Sequence, residues 1–429
     1  MNKFEGKKLL IIGGAYQHKR LVELAKEMGI ITYVIDYLPV EKSPAKQIAD
    51  FHFQYDITDY GNILKLCKDE KIDGIISTNL DACQKPYQHI CEELHLPCFA
   101  NREQYQIYTD KNCFKEFCEQ NGLDVIPKYD NECFNSKKKC CEIVDFPVLV
   151  KPAISRGSRG QTICHSYEEI EAAISFAKEF SSNNEVVIEK YMGNDNDFSV
   201  APLTINGKVY IERTSDRYLG TGKMDKSAVL SIQPSKKSDR FERIVRPKLE
   251  KALHKLGVYV TPMMMQGFFV GDKVYFYDPG IRFGGFEYER LYERVNGLDP
   301  RTLLIEYALT GTVNEDDRID IITDGYKMKG KKVCIMYIPI LPGVIKRIVG
   351  VDEIKNNPKV INFNQYYFEG DTIGEHYNVK QRFCEINFIC NDEVDVKNTV
   401  DWIYNTLLIY GNDDSQMIFS KLDTSKILK

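Results

Sequence analysis

The sequence predicts a multidomain protein of mixed α/β and α+β class, a parallel-sheet domain first and antiparallel, hairpin-rich units after it. Three observations carry this reading. Over the first hundred residues, buried-strand runs alternate with helical periods. From Phe146 the texture changes to short strands and a glycine-rich loop. The length of 429 residues suits two to four domains at roughly 150 residues each.

Lys8–Ile12 (KLLII) is a continuous apolar run ending in Gly13-Gly14, the pattern of a strand buried on both faces. A helical period over Arg20–Met28 stops at Gly29, where a C-terminal glycine belongs. Ile31–Ile35 is a second strand, Asn62–Asp69 a helix and Asp73–Ser77 a third strand, completing βαβ grammar. Gly13-Gly14 is not followed by G-x-G-x-x-G, so a tight strand-to-helix turn explains it better than a nicotinamide site. Tyr108–Gly122 reads as one helix, and Asn131–Glu142 as a polar surface connection. Strands are expected at Val186–Glu189, Phe198–Thr204, Lys208–Ile211, Met264–Val270 and Lys273–Tyr277, the last two joined by a Gly271-Asp272 turn. Asp239–Leu256 reads as an amphipathic helix closed by Gly257, and Val396–Ile409 as the one helix of the C-terminal hundred residues.

Composition narrows the function. The 57 Lys+Arg against 62 Asp+Glu give a net charge of -5, which offers no footprint for nucleic acid or an anionic membrane. Eighteen apolar residues never run together, and the N-terminal apolar run is too short for a secretory signal. Thirteen scattered cysteines, without C-x-x-C or a zinc spacing, read as reduced structural thiols in a cytoplasmic protein. The seven histidines are dispersed, and none is nominated for catalysis.

Four features carry chemistry. In VLVKPAISRGSRGQ, a strand delivers Lys151, then Ser155, Gly157, Ser158 and Gly160, with Arg156 and Arg159, offer donors for an anion. A solvated basic loop has the same composition, and the ending is not that of a Walker A loop. VVIEKYMGNDNDFSV runs a strand into Glu189-Lys190-Tyr191 and then an acidic turn to Asp197, a connection able to meet an adenine edge and a ribose, though in isolation it is an ordinary strand–turn–strand. VYFYDPGIRFGG ends a hairpin strand at Asp278 and continues to Arg282. The Gly271-Asp272 turn lies midway between Gln266 and Asp278, making them near cross-strand neighbours, two oxygen ligands suited to Mg²⁺ beside phosphates. Arg282 is placed to clamp a phosphate in bidentate fashion. Lys111 opens a helix ahead of the glycine-rich loop.

In this order the motifs resemble the ATP-grasp superfamily over most of the chain. The first hundred residues look like its pre-ATP-grasp domain, and VIDYLPVEKSPAKQIADFHFQYDITD resembles the purine-biosynthetic carboxylase-type members. The resemblance implies Lys111 and Lys151 on nucleotide phosphates beneath the 153–160 loop. It implies Glu189, Lys190 and Tyr191 at the adenine hinge, Asp197 at the ribose, Gln266 and Asp278 on Mg²⁺ (Mn²⁺ as an alternative), and Arg282 on the reacting phosphate. Family members usually carry Glu at the positions of Gln266 and Asp278 and Asn at that of Gly280, so one negative charge and one ligand side chain are missing. Gln still offers a carbonyl oxygen.

MYIPILPGVIKRIVGVDEI, YYFEGDTIG and RFCEINFIC resemble the closing domain of L-amino-acid ligases and related carboxylate–amine ligases. Neither a biotinyl attachment motif nor a duplicated synthetase half is seen. Arg213, Arg217 and Lys223 follow the hinge, read either as substrate-carboxylate contacts or as an exposed charged loop; with Arg282, Lys223 is the catalytic expectation. The implied organisation is 1–110 pre-ATP-grasp, 111–190 and 191–325 the two ATP-grasp subdomains, and 326–429 a ligase-like lid. The implied activity is an ATP- and Mg²⁺-dependent carboxylate–amine (or thiol) ligase working through an acyl phosphate on a small amino-acid-like substrate, with small-molecule carboxylate and amine partners; a homodimer is expected only from the frequency of two-fold assemblies. Two alternatives stand beside it: a nucleotide-binding pseudoenzyme with a weakened metal site, and a nucleotide-gated binding protein in a surface-polysaccharide pathway.

Overall fold

The computed structural model describes residues 3–153, 160–181, 184–193, 195–224, 227–285, 288–376 and 379–429. A four-stranded parallel sheet opens it, in the order Phe51–Phe53, Ile31–Ile35, Lys8–Ile12, Gly74–Ile76, with Lys8 opposite Ile31 and Leu9 opposite Gly74. Leu9, Leu10, Ile11 and Ile12 are all fully buried, as the unbroken apolar run requires of a strand covered on both faces. Helices Tyr16–Glu27, Tyr60–Glu70 and Asp81–Leu94 connect its strands or follow them.

The single helix expected over Tyr108–Gly122 is two, Arg102–Thr109 and Lys111–Gln120. Asp110 separates them because its carboxylate accepts hydrogen bonds from the Asn112 and Cys113 N–H groups and so starts the second. The Asn131–Glu142 connection is also ordered, as a 3₁₀ turn Asn131–Phe134 and a helix Lys137–Ile143. Its lysines hide Phe134 and Cys140, which are buried in a small core with Val148, Val150, Ile170 and Ile188. That core belongs to an antiparallel sheet in the order Lys128–Tyr129, Val186–Lys190, Val148–Pro152, Thr162–Cys164.

A nine-stranded sheet dominates the rest, beside a three-stranded sheet in the order Thr372–Ile373, Gly343–Val349, Leu408–Gly411. The path of the larger sheet runs Lys273–Gly280, Met264–Val270, Asp197–Ile205, Lys208–Leu219, Ala228–Gln233, Lys332–Pro339, Arg382–Cys390, Val360–Gln365, with Thr261–Pro262 paired to the third strand. The expected boundary at 325/326 does not interrupt it, since Lys332–Pro339 pairs directly with Ala228–Gln233. Lys208–Leu219 is much longer than its apolar start, Lys208–Ile211, suggests. The amphipathic stretch Asp239–Leu256 divides into Ser238–Ile244 and Arg246–Leu256, because Pro247 has no N–H to continue the first helix and fits the first turn of the second. The C-terminal helix is Glu393–Thr406, capped by Asp392, and Leu408–Gly411 is a strand.

Candidate active site

Lys151 stands on the Val148–Pro152 strand, and its ammonium lies 2.5 Å from the Glu189 carboxylate on the neighbouring strand. Leu149 is opposite Glu189, so Lys151 and Glu189 are diagonal neighbours on one face. Lys190 points elsewhere: its ammonium is 2.7 Å from the Asp145 carboxylate and donates to the Phe146 carbonyl at 3.2 Å, tying strand to loop. The Tyr191 N–H donates to the Pro147 carbonyl at 3.0 Å. Lys111 begins its helix, and Lys115, one turn on, donates to the Ile126 carbonyl at 3.1 Å. Burial lowers the Lys115 pKa, opposed by the nearby Glu189 carboxylate, which makes Lys115 a neighbour of this pair that the sequence did not single out. Ser155, Gly157 and Ser158, with Arg156 and Arg159, lie outside the described residues. Gly160 has φ +70°, and a Cβ there would meet Phe180 at 2.8 Å and Pro152 at 2.9 Å, so close packing as well as backbone sign demands glycine.

Gln266 and Asp278 are directly paired across their hairpin. Beside them the register slips, Gly267 pairing with Phe276, so Tyr277 is the extra residue of a bulge. Its hydroxyl lies 3.1 Å from an Asp197 oxygen and 3.3 Å from the Gln266 carbonyl oxygen, and it accepts from Arg217 at 3.1 Å. One hydroxyl proton serves one acceptor, and Asp197 is the stronger, which leaves the Gln266 carbonyl able to face a cation. Arg217 also reaches Asp197 at 2.7 Å. Burial pushes the Asp197 carboxyl up from its usual range while Arg217 and Tyr277 pull it back. The strand pattern signals neither Tyr277 nor the pairing of Arg217, because the bulge is set by the partner strand.

Arg282 grips Asp81, which opens a helix of the N-terminal domain: Nε and Nη2 donate to the two carboxylate oxygens, the second at 2.8 Å, and Nη1 donates to the Phe283 carbonyl at 3.0 Å. The N-terminal domain holds the rest of that loop too. Phe283 N–H donates to the Thr78 carbonyl at 2.8 Å, Asn79 to the Gly284 carbonyl at 2.8 Å and Gln17 to the Gly285 carbonyl at 3.0 Å. Asp81 had no signal in the sequence, since the contact spans two hundred residues.

Arg213 is not on an exposed loop. It is fully buried, 2.8 Å from Glu212 and 3.7 Å from Glu289, with its guanidinium 4.0 Å from the Tyr288 ring centre. Burial pushes the Glu289 carboxyl up. Arg217 is likewise no exposed loop residue, being paired with Asp197. Lys223 lies in the 3₁₀ turn Gly222–Met224. A cavity of about 810 Å³ opens beside Asp197 and Arg217, with Lys236, Lys237 and Lys426 on its walls.

For a divalent cation the described residues contain no cluster of three or more His, Cys, Asp or Glu ligands. The paired Gln266 and Asp278 oxygens nevertheless fit Mg²⁺, which takes one or two protein ligands and completes its shell with phosphates and water. All thirteen cysteines are free. No helix among the described residues is long and apolar enough to cross a membrane.

His18, fully buried against Gly13, supplies a stability test. Burial, reinforced by the Arg301 charge, pushes its imidazole down to about 4. A depressed folded-state value means that stability is complete above the unfolded value of 6.5 and is lost as pH falls towards 4. Denaturant titrations across that window are expected to show a loss on the order of 3 kcal/mol. His18→Leu should flatten that part of the profile; an unchanged slope would remove His18 as its source.

Residues 110–201 match the family model described as carbamoyl-phosphate synthase L chain, ATP binding domain. The formate-dependent phosphoribosylglycinamide formyltransferase of Bacillus velezensis is 22% identical over 277 residues, 64% of this chain and 70% of that protein. The L-amino acid ligase of Bacillus licheniformis superposes with a TM-score of 0.76 at 16% identity, covering 95% of this chain and 99% of the other. The biotin carboxylase domain of Hydrogenobacter thermophilus 2-oxoglutarate carboxylase, a dimer solved with MgADP and bicarbonate, gives 0.66 at 18% identity, with 96% and 91% covered. Together with the sheet order, these likenesses show that the chain has the ATP-grasp fold, with the pre-ATP-grasp parallel sheet in front of it.

Proposed function

We propose that the chain is an ADP-forming ligase that activates a small amino-acid-like carboxylate with ATP and joins it to an amine. At the coarser level it is an ATP- and Mg²⁺-using enzyme of carboxylate–amine ligase type, in keeping with the relatives it matches. The observation that supports the finer reading best is the hairpin. It sets Gln266 opposite Asp278 and delivers Arg282 four residues later into a loop gripped by the N-terminal domain. Lys151 would hold phosphate, Gln266 and Asp278 the cation, and Arg282 the charge that develops on the transferred phosphoryl group. ATP supplies the phosphoryl that turns the carboxylate into an acyl phosphate; the amine then displaces phosphate. A homodimer is the proposed assembly.

The test is thermal stabilisation by ATP or ADP with Mg²⁺, followed by ADP release in the presence of amino-acid pools. Absence of stabilisation would end the ATP reading. Nucleotide binding without ADP release across pools and with Mn²⁺ would favour the pseudoenzyme, which the amide at position 266 makes a specific second reading. Gln266→Glu separates the two further. A second carboxylate opposite Asp278 should tighten Mg²⁺ about tenfold and raise ATPase activity. No change in either would move the metal away from this hairpin.

A further inference from the structure

The nine-stranded sheet ends on Val360–Gln365, which pairs with Arg382–Cys390 on one side and with no described strand on the other. All six of its residues are half-buried, whereas its inner neighbour is buried along almost its whole length. The short helix Val351–Lys355 touches this strand and also the Glu393–Thr406 helix, which lies against Lys332–Pro339 and Arg382–Cys390. It therefore belongs to the layer over one face and leaves the rim bare. The opposite rim is covered, since Lys273–Gly280 meets the helices Arg102–Thr109 and Lys111–Gln120.

The groups left free at the bare rim follow from the ladder. The Tyr366 N–H donates to the Phe383 carbonyl at 2.9 Å, so Tyr366 faces inward. Alternation then turns the N–H and C=O groups of Gln365 and Phe363 outward. The bulge at Ile361 precedes this stretch and leaves Asn362–Gln365 in continuous register. Native sheets guard such rims with charges, prolines or a cover, and VINFNQ holds neither charge nor proline. Just past it stand Tyr366 and Phe368, 48% and 58% exposed.

Charge is arranged along the same rim. Lys355 lies over the Phe363 ring, 5.5 Å from its centre, with no carboxylate partner among the described residues. A groove of about 680 Å³ at the far end of the strand is lined by Gln365, Phe368, Asp352, Glu353 and Glu369. Glu369 accepts from the Ile348 N–H at 2.8 Å, and none of the three carboxylates meets a cation among the described residues.

We infer that Val360–Gln365 is a dimer edge, pairing antiparallel with the same strand of a second copy about a two-fold axis through Asn364. Phe363 then lies opposite the partner's Gln365, and four hydrogen bonds use every outward group of both strands. An axis through Phe363 would set Gln365 against the bulge, and one through Gln365 would set Phe363 beyond the strand end. Only the axis through Asn364 leaves nothing bare. It also brings the partner's Lys355, above the partner's Phe363, beside Gln365 and the acidic groove, and symmetry repeats the contact. The inference gives the homodimer proposed above a surface and uses none of the ligase chemistry, so the two fail separately.

Sedimentation equilibrium of the full chain over a concentration series tests it. The wild type should form dimers of 49.5 kDa chains. Gln365→Pro removes an outward N–H and no ladder bond, a change that edge strands tolerate, and should weaken the dimer about tenfold or more. Lys355→Glu is an exposed change that sets like charge against the groove, and it too should weaken the dimer about tenfold. Tyr37→Ser, at an aromatic 61% exposed elsewhere, should change nothing. Melting of each variant reports its folding, and Lys355→Glu decides alone if Gln365→Pro does not fold. A monomeric wild type, or unchanged dimerisation in either variant that folds, would overturn the edge. A wild-type dimer that ADP with Mg²⁺ does not stabilise against heat is a different result and would overturn the nucleotide reading alone.

Discussion

Arg282→Ala is expected to lower the rate of ADP release by about three orders of magnitude while ATP affinity changes less than threefold. The reasoning runs from charge. Phosphoryl transfer spreads negative charge over oxygens that a planar guanidinium can bind through two parallel N–H groups, and losing such a group typically costs about 10³-fold. The same guanidinium also binds Asp81, so the alternative is a purely structural clamp between the N-terminal domain and the hairpin loop. Melting separates the two. The Asp81 carboxylate is 76% exposed, so stranding it in water costs little, and the loop keeps its bonds to Thr78, Asn79 and Gln17. A small change in melting temperature with a collapsed rate supports the role at the phosphate. A large melting loss, with normal turnover by the molecules that stay folded, would assign Arg282 to the clamp. Arg282→Lys keeps the charge but not the fork, and is expected to recover only part of the rate.

The elements read most directly from sequence are those whose burial is decided locally. Lys8–Ile12 and Ile31–Ile35 fall where the apolar runs put them, because a strand covered on both faces needs no knowledge of its neighbours. The approach of Gln266 to Asp278 was half legible: the two-residue turn at Gly271-Asp272 sets Val270 opposite Lys273 and, counted outward, Gln266 opposite Tyr277, and the bulge moves its partner on to Asp278. Polar strands were not. Lys208–Leu219 carries Glu212, Arg213, Asp216 and Arg217 inside or half-buried; Arg213 is met by Glu212 and by Glu289 from a helix, Arg217 by Asp197 from the neighbouring strand, and Asp216 by Ser235 and the Lys236 N–H. Nothing near them in sequence announces such partners, so an arginine that closes a buried ion cluster looks the same as one on a solvated loop. The segment 131–142 failed in the opposite sense, since three lysines mask two buried side chains. Asp81 and Tyr277 show the remaining limit: one is brought by domain docking and the other by a bulge, and both are properties of pairs of elements.

Lys151→Ala should abolish nucleotide-dependent stabilisation. At a nucleotide concentration a hundred times its Kd, binding stabilises a protein by about 2.7 kcal/mol, and a hundredfold weaker site loses nearly all of that. The complication is Glu189. Its carboxylate is 12% exposed and 2.5 Å from the ammonium, so removing Lys151 leaves a mostly buried charge without its partner and lowers stability for a reason unrelated to nucleotide. The double variant Lys151→Met with Glu189→Gln answers this. Two uncharged side chains of similar length remove both halves of the ion pair, so the melting temperature without nucleotide should recover most of what Lys151→Ala loses. If the lysine binds phosphate, the recovered protein still shows no shift with ADP. If its work is only to neutralise Glu189, the double variant regains the wild-type shift, and the phosphate-binding assignment of Lys151 falls.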